Sequence, residues 1–377
     1  MIPLRIWVAA VAAALAFVLS MAGQAAAPHV TARAYLVENP VTGEVLVQHG
    51  AWARAPIASL TKLMTVLVTL DRARWNDVVR VRSDAAQVGE STVNLRAGER
   101  LTIGDLVKAA LIQSANDAAD ALADYVSHGD QKAFVALMND KARQLRLNGT
   151  HFVRPDGLDA PGHYSTAQDV TMLAQVAMRD PRIRSVVRQR TATIAGHRHL
   201  HTWNDLLGVF RGLYGVKTGH TAAAGWCEVA AVRRNGVTLY TTVLGSPDRS
   251  QRNIDLAALL RWGIARYRPV WLVKPGRVYL RASVGYGKPS VPIVAQKSVA
   301  RAVRVDKPVV ERVIAPAALE LPVERGSRVG ELRVYSGRRL IARSPLVAGL
   351  SVSKPGFGGK VGFYASRALR HIGGWFS

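Results

Sequence analysis

Residues 58–65 read Ala58-Ser59-Leu60-Thr61-Lys62-Leu63-Met64-Thr65 and lead into a largely apolar run, 60–70. That run predicts a buried helix, in which Ser59 and Lys62, three residues apart, share one side of a turn. A hydroxyl becomes a useful nucleophile only beside a base, and a lysine serves as one only when its ammonium is pushed toward neutrality. Burial against Leu63, Met64 and Val66, and a neighbouring cation, would both do this. Taken alone, the same residues also describe a capping serine followed by a solvated lysine.

Two more polar interruptions lie further along the chain. Ser114-Ala115-Asn116, followed by Asp117, breaks the apolar stretch 109–119, where buried polar groups need partners. Lys217-Thr218-Gly219 closes a strand pattern at 213–217 and is followed by His220. Around these motifs the periodicity changes type. Residues 32–49 alternate apolar and polar about Thr42-Gly43, as a hairpin does. Residues 104–125 and 132–147 carry apolar positions at helical spacing, 225–233 and 237–244 read as strands joined by Asn235-Gly236, and 253–267 reads as a closing helix. From Pro269 helical spacing vanishes and short Val-rich runs follow, clearest in a hairpin about Ser336-Gly337. The predicted organisation is a segment 1–26, a mixed domain 31–268, an all-β domain 269–352, a Gly- and Pro-rich linker 353–359, and a tail helix 360–377.

Ser-x-x-Lys, Ser-x-Asn and Lys-Thr-Gly in this order match the serine acyl-enzyme pattern of penicillin-interacting enzymes. With Gln113-Ser114-Ala115-Asn116-Asp117, Asp156-Gly157-Leu158-Asp159, His163-Tyr164-Ser165-Thr166 and Val216-Lys217-Thr218-Gly219-His220-Thr221, the chain resembles the low-molecular-mass penicillin-binding proteins that are D-alanyl-D-alanine carboxypeptidases. The resemblance implies an α/β (α+β) fold of the serine β-lactamase/DD-peptidase type, with an antiparallel sheet and a helical layer. It implies that Ser59 attacks the penultimate D-alanine carbonyl, that Lys62 takes the proton, and that Ser114 with Lys217 relays a proton to the departing amine. Asn116 would hold the substrate amide, and Lys217 and Thr218 the terminal carboxylate. The backbone N–H groups of Ser59 and of His220, beyond Gly219, would form an oxyanion hole. Peptidoglycan stem peptides are the implied substrates and β-lactams the implied ligands, with no metal or organic cofactor.

Other readings share parts of this pattern. A class A β-lactamase needs a glutamate between the second and third motifs. None occurs from Asp117 to Val216, so Asp156, Asp159 or Asp169 would have to replace it. A D,D-endopeptidase shares all three motifs. A murein-binding protein with a dead site is the non-enzymatic alternative, against which the intact motifs argue. His197, His199 and His201 alternate as a zinc set on a strand would, but no Cys, Asp or Glu nearby completes a ligand cluster. Cys227, the single cysteine, excludes a disulfide framework and reads as a packed residue, while Trp226 is placed to tune substrate choice.

The 377 residues carry a net charge of +24, and 271–377 hold 19 Lys+Arg against 5 Asp+Glu, so the C-terminal part should meet something anionic. Arg5, the apolar run 6–19 and Ala25-Ala26-Ala27 read as a cleavable export signal, which makes a nucleic-acid partner untenable despite the charge. In the tail, Val361, Tyr364, Ala365, Ala368, Leu369, Ile372, Trp375 and Phe376 fall on one arc opposite Arg367 and Arg370, with Phe363 off it. The segment is too short and polar to span a bilayer and reads as an in-plane anchor on an anionic membrane surface. The expected location is the periplasmic face of the inner membrane, peripherally bound.

Overall fold

The structure, a computed structural model, describes residues 26–373, with side chains as far as Ala365. The expected export signal therefore lies outside the described residues, except for its last position, as does the tail's Trp375-Phe376 pair. One compact unit extends to Ala265 and a second begins at Arg266.

The first unit is built on a five-stranded antiparallel sheet. Its strands are β1 (Ala34–Asn39), β2 (Glu44–His49), β3 (Leu213–Thr221), β4 (Gly225–Arg234) and β5 (Val237–Ser246), in the order β2-β1-β5-β4-β3. The turn between β4 and β5 is Asn235-Gly236, both with positive φ, the twist-matched two-residue hairpin that this dipeptide favours. β5 is buried along nearly its whole length rather than alternately, because helices cover both faces of the sheet. Thr171, on a helix spanning Ala167–Ala177, bonds Thr242 on one face. On the other face, Gly263 of the closing helix lies against Leu239 and Val37. Every residue of α1 (Lys62–Leu70) is buried, its apolar side chains in the core and its polar ones, Lys62, Thr65 and Thr69, bonded to backbone carbonyls.

The predicted helix 104–125 is broken. α2 (Ile103–Lys108) runs into a π-helical turn, Ala109–Gln113, and Ser114 then adopts a left-handed φ of 67° before α3 (Asn116–Ser127) begins. Asp117 stabilises the restart by accepting from the backbone N–H groups of Val93, Leu95 and Ala118. The predicted helix 132–147 forms as α4 (Gln131–Gln144). The closing helix starts four residues earlier than expected, as α5 (Arg249–Ala265), and Tyr267 belongs instead to the first strand of the next unit. That earlier start brings Arg252 onto the helix.

The second unit is all-β up to its terminal helix. Six strands order as Val309–Ile314, Arg328–Ser336, Arg339–Ala348, Val291–Ala295, Val278–Val284 and Ala318–Leu319, and Tyr267–Val273 pairs separately with Val299–Arg304. The predicted hairpin turns one residue later than expected, at Gly337-Arg338, because Ser336 still pairs with Arg339. α6 (Phe357–Gly373) begins inside the stretch expected as a linker. Phe363, the residue off the apolar arc, lies edge-on to Tyr286 with ring centroids 5.8 Å apart. No helix among the described residues is long and apolar enough to cross a membrane.

Candidate active site

Ser59 lies in the 3-10 turn Ala58–Thr61 that feeds α1. The turn is held in a conformation that L-residues avoid: Ala58 has φ +49°. Its neighbours enforce this. A Cβ on Gly157 would sit 2.2 Å from the Ala58 carbonyl oxygen, and one on Gly219 would sit 3.0 Å from both Ile57 O and Ser59 N. Thr61 donates its hydroxyl to Ala58 O, and His163, whose Nδ1 accepts from Val153 N–H, presents Nε2 to Thr61 Oγ1 at 2.8 Å. Burial holds the His163 imidazole down to about 4, so it is the neutral tautomer.

Lys62 is fully buried, and its Nζ lies 2.8 Å from Ser59 Oγ, 2.7 Å from Asn116 Oδ1 and 2.6 Å from Asp156 O. Burial lowers its pKa to about 8 against the opposing pull of Asp156, Asp120 and Asp117. The Asp156 carboxylate is turned away onto Arg154, which grips both oxygens at 2.6 Å. Asn116 is engaged at both ends of its amide, since Nδ2 donates to Gly89 O.

A second lysine-serine pair faces the first. Lys217 Nζ, on β3, donates to Ser114 Oγ at 2.8 Å and to Thr218 O at 2.7 Å. Burial foremost, and then the charge of Lys62, hold it well below the usual lysine range. The left-handed Ser114 is pinned through its neighbour Gln113, whose carbonyl accepts from Ser91 Oγ and Trp203 Nε1. Ser59, Ser114, Asn116, Thr218, Gly219 and His220 line one cleft, so the motif residues converge although up to 161 positions separate them. Trp226 also lines it and stacks on His220 with centroids 4.2 Å apart.

Sequence reasoning missed Trp203 and Arg252, which complete the wall. Arg252 is 1% exposed and paired with Asp205 and Glu228. Nothing in the sequence singles it out, because the closing helix was expected to begin one residue later, at Asn253. The three aspartates, one of which a β-lactamase would need in place of the glutamate, are engaged by the protein itself. Asp156 is bound by Arg154, Asp159 accepts from Thr221 Oγ1 and Ala223 N–H, and Asp169 accepts from Gly149 N–H and Thr150 Oγ1. His199 and His201 lie exposed on the strand Arg198–His201 while His197 precedes it, and no group of three His, Cys, Asp or Glu among the described residues could hold a metal. Cys227 is buried in β4, its thiol raised to about 11 by burial.

Residues 21–248 match the D-alanyl-D-alanine carboxypeptidase family, and 267–354 match the C-terminal domain of penicillin-binding protein 5. The D-alanyl-D-alanine carboxypeptidase DacC of Escherichia coli is 32% identical over 374 residues, covering 93% of this chain and 92% of that protein. DacA of the same species is 30% identical, covering 93% and 90%. Among solved structures, penicillin-binding protein 5 of Haemophilus influenzae is similar with a TM-score of 0.64 and 27% identity, over 88% of this chain and all of that one. The Streptomyces K15 DD-transpeptidase is similar with a TM-score of 0.61 and 31% identity, over 64% of this chain and all of that one.

Proposed function

The chain belongs to the D-alanyl-D-alanine carboxypeptidase family of penicillin-binding proteins, hydrolases of cell-wall peptides, and on that premise we propose that it works through an acyl-enzyme on Ser59. The observation that carries this reading is the convergence of two lysine-serine pairs on one cleft. Lys62 takes the Ser59 proton as Oγ attacks the penultimate D-alanine carbonyl. Backbone N–H groups of Ser59 and His220 receive the oxyanion, where one such donor is worth about 3 kcal/mol of barrier. The second pair, Ser114 with Lys217, passes a proton to the departing D-alanine amine. Thr218 and the Arg252 guanidinium in the cleft wall receive the terminal carboxylate, a charge-assisted contact that selects a free chain end. Water then hydrolyses the acyl-enzyme, while a β-lactam occupies the same serine.

The assignment is tested by intact mass with and without penicillin, alongside D-alanine release from a stem peptide. A single adduct mapping to Ser59, together with release, is the expected outcome. Folded protein with neither sinks the reading in favour of a murein-binding protein, and fast penicillin turnover without D-alanine release makes it a β-lactamase. The 1–26 segment exports the chain, and the basic C-terminal helix holds it on the anionic face of a membrane, where murein precursors lie within reach.

A further inference from the structure

Glu228 sits on β4 directly across from Thr218 of β3, on the face covered by α5. Its side chain is 0% exposed, and neither carboxyl oxygen has a hydrogen-bond partner; the nearest cation is Arg252 Nε, 3.2 Å from Oε2. Arg252 already has a permanent counter-ion on its other side. Asp205 Oδ2 accepts from its Nη2 at 3.0 Å, and bonds from Arg249 and Asn253 keep Asp205 below the usual carboxylate range. The charged groups facing Glu228 are therefore Lys217 from β3, Asp205 from the segment before it, and Arg252 from α5, with Arg249 behind Asp205.

We infer that Glu228 is a positioning residue for the carboxypeptidase reaction: by gaining or losing its proton it sets how much positive charge Arg252 presents to the substrate's terminal carboxylate. The inference rests on the reading that this cleft receives that carboxylate. With Glu228 protonated, Arg252 and Asp205 balance, and an arriving carboxylate meets no nearby excess anion. With Glu228 ionised, two carboxylates already share one guanidinium, and a third is repelled. Burial pushes the Glu228 carboxyl up to about 7, against the pull of Arg252 and Lys217, so the change falls in the working range. By linkage, binding a substrate with a free carboxylate takes up a proton at Glu228.

The test is KM and kcat for D-alanine release from an N-acylated tripeptide ending in D-Ala-D-Ala, from pH 5.5 to 8.5. In the wild type KM rises by about tenfold across this range, the change that one unit of linked pKa produces. Glu228→Gln abolishes that rise and holds KM at the low-pH value, with kcat at pH 6 unchanged. A purely structural role would raise KM or lower stability at every pH without altering the profile's shape. If the Gln variant does not fold, Glu228→Leu replaces it, and calorimetry of tripeptide binding to the Ser59→Ala protein in buffers of different ionisation enthalpy reads the proton uptake directly. A flat wild-type KM, a variant profile that follows the wild type, or no proton uptake near pH 7 overturns the inference. Wild-type protein that releases no D-alanine at any pH overturns the underlying site reading as well.

Discussion

The amine of Lys62 lies 2.8 Å from the hydroxyl of Ser59 and bonds no carboxylate. Its other two partners, Asn116 Oδ1 and Asp156 O, only accept. A neutral amine has two hydrogens and one lone pair, so donating to both acceptors leaves the lone pair aimed at the Ser59 O–H. The local architecture thus turns the amine's lone pair onto the hydroxyl as well as lowering its basicity. Had the Asp156 side chain turned inward rather than onto Arg154, it would have fixed Lys62 as an ammonium.

The first prediction concerns pH. As the proposed base Lys62 acts only when neutral, and its pKa is lowered to about 8, so the rate of penicillin acylation should climb with pH and level off above that value. Stopped-flow acylation across pH 6 to 10 measures this. Lys62→Arg keeps the charge but cannot deprotonate, and should lower the rate by about a thousandfold or more at every pH. A flat profile would mean that another group takes the proton.

Asp120 provides a second handle on the same base. It is buried on α3, its Oδ1 has no hydrogen-bond partner, and burial foremost, then Asp156, raises its pKa. Its charge pulls Lys62 upward. Asp120→Asn should therefore move the acylation midpoint to lower pH. Stability is predicted to respond too. A carboxyl whose folded pKa is raised loses stability as pH climbs from its unfolded value through its folded one, so the Asn variant should melt higher than wild type at pH 8 and gain less at pH 4. An unchanged midpoint would show that Asp120 does not sense Lys62.

How much of this was legible in the sequence depends on what each residue had to do. Ser59, Lys62, Ser114, Asn116, Lys217 and Thr218 could be named because their types and order carry the chemistry. The break at Ser114 could not, because a π turn keeps the apolar residues 109–112 facing inward and leaves helical periodicity intact on both sides. Glu228 and Arg252 were silent for a related reason. Each occupies an inward position of a regular element, where an isolated charge carries no spacing signal, and only tertiary packing brings the two within 3.2 Å. The second unit was read as β-rich from its short alternating Val-rich runs, but its strand order depends on pairings such as Val278–Val284 with Ala318–Leu319 that no local pattern encodes.

His163 supplies a stability prediction. Its folded pKa is depressed to about 4 by burial, from an ordinary value of 6.5. Between these values the unfolded chain binds a proton that the folded chain refuses, so stability falls as pH drops from 6.5 toward 4. The span corresponds to about 3 kcal/mol if no other group compensates. His163→Gln should flatten this part of the stability curve, measured by urea unfolding at pH 4.5 and 7. Loss of its contact with Thr61 should also loosen the Ala58 turn and slow acylation. Equal acid sensitivity in both proteins would assign the effect to other groups.

The terminal helix carries the last prediction. Val361 and Tyr364 are more than half exposed, while the rings of Phe363 and Tyr364 meet Tyr286 edge-on, so the helix shares its apolar residues between an open face and a contact with the β unit. Lys360, Arg367 and Arg370 add three cations to this helix. At about 1 kcal/mol each near an anionic surface, they contribute about a hundredfold in affinity at low salt, much of it screened at 0.5 M. Deleting 360–377 should release the protein from vesicles of anionic lipid while leaving tripeptide turnover unchanged, because the cleft is built wholly within the first unit. Tyr286→Ala removes the ring that Phe363 and Tyr364 pack against and should leave vesicle binding intact. If the deletion floats with vesicles as the full chain does, the basic surface of the β unit, not the helix, makes the membrane contact.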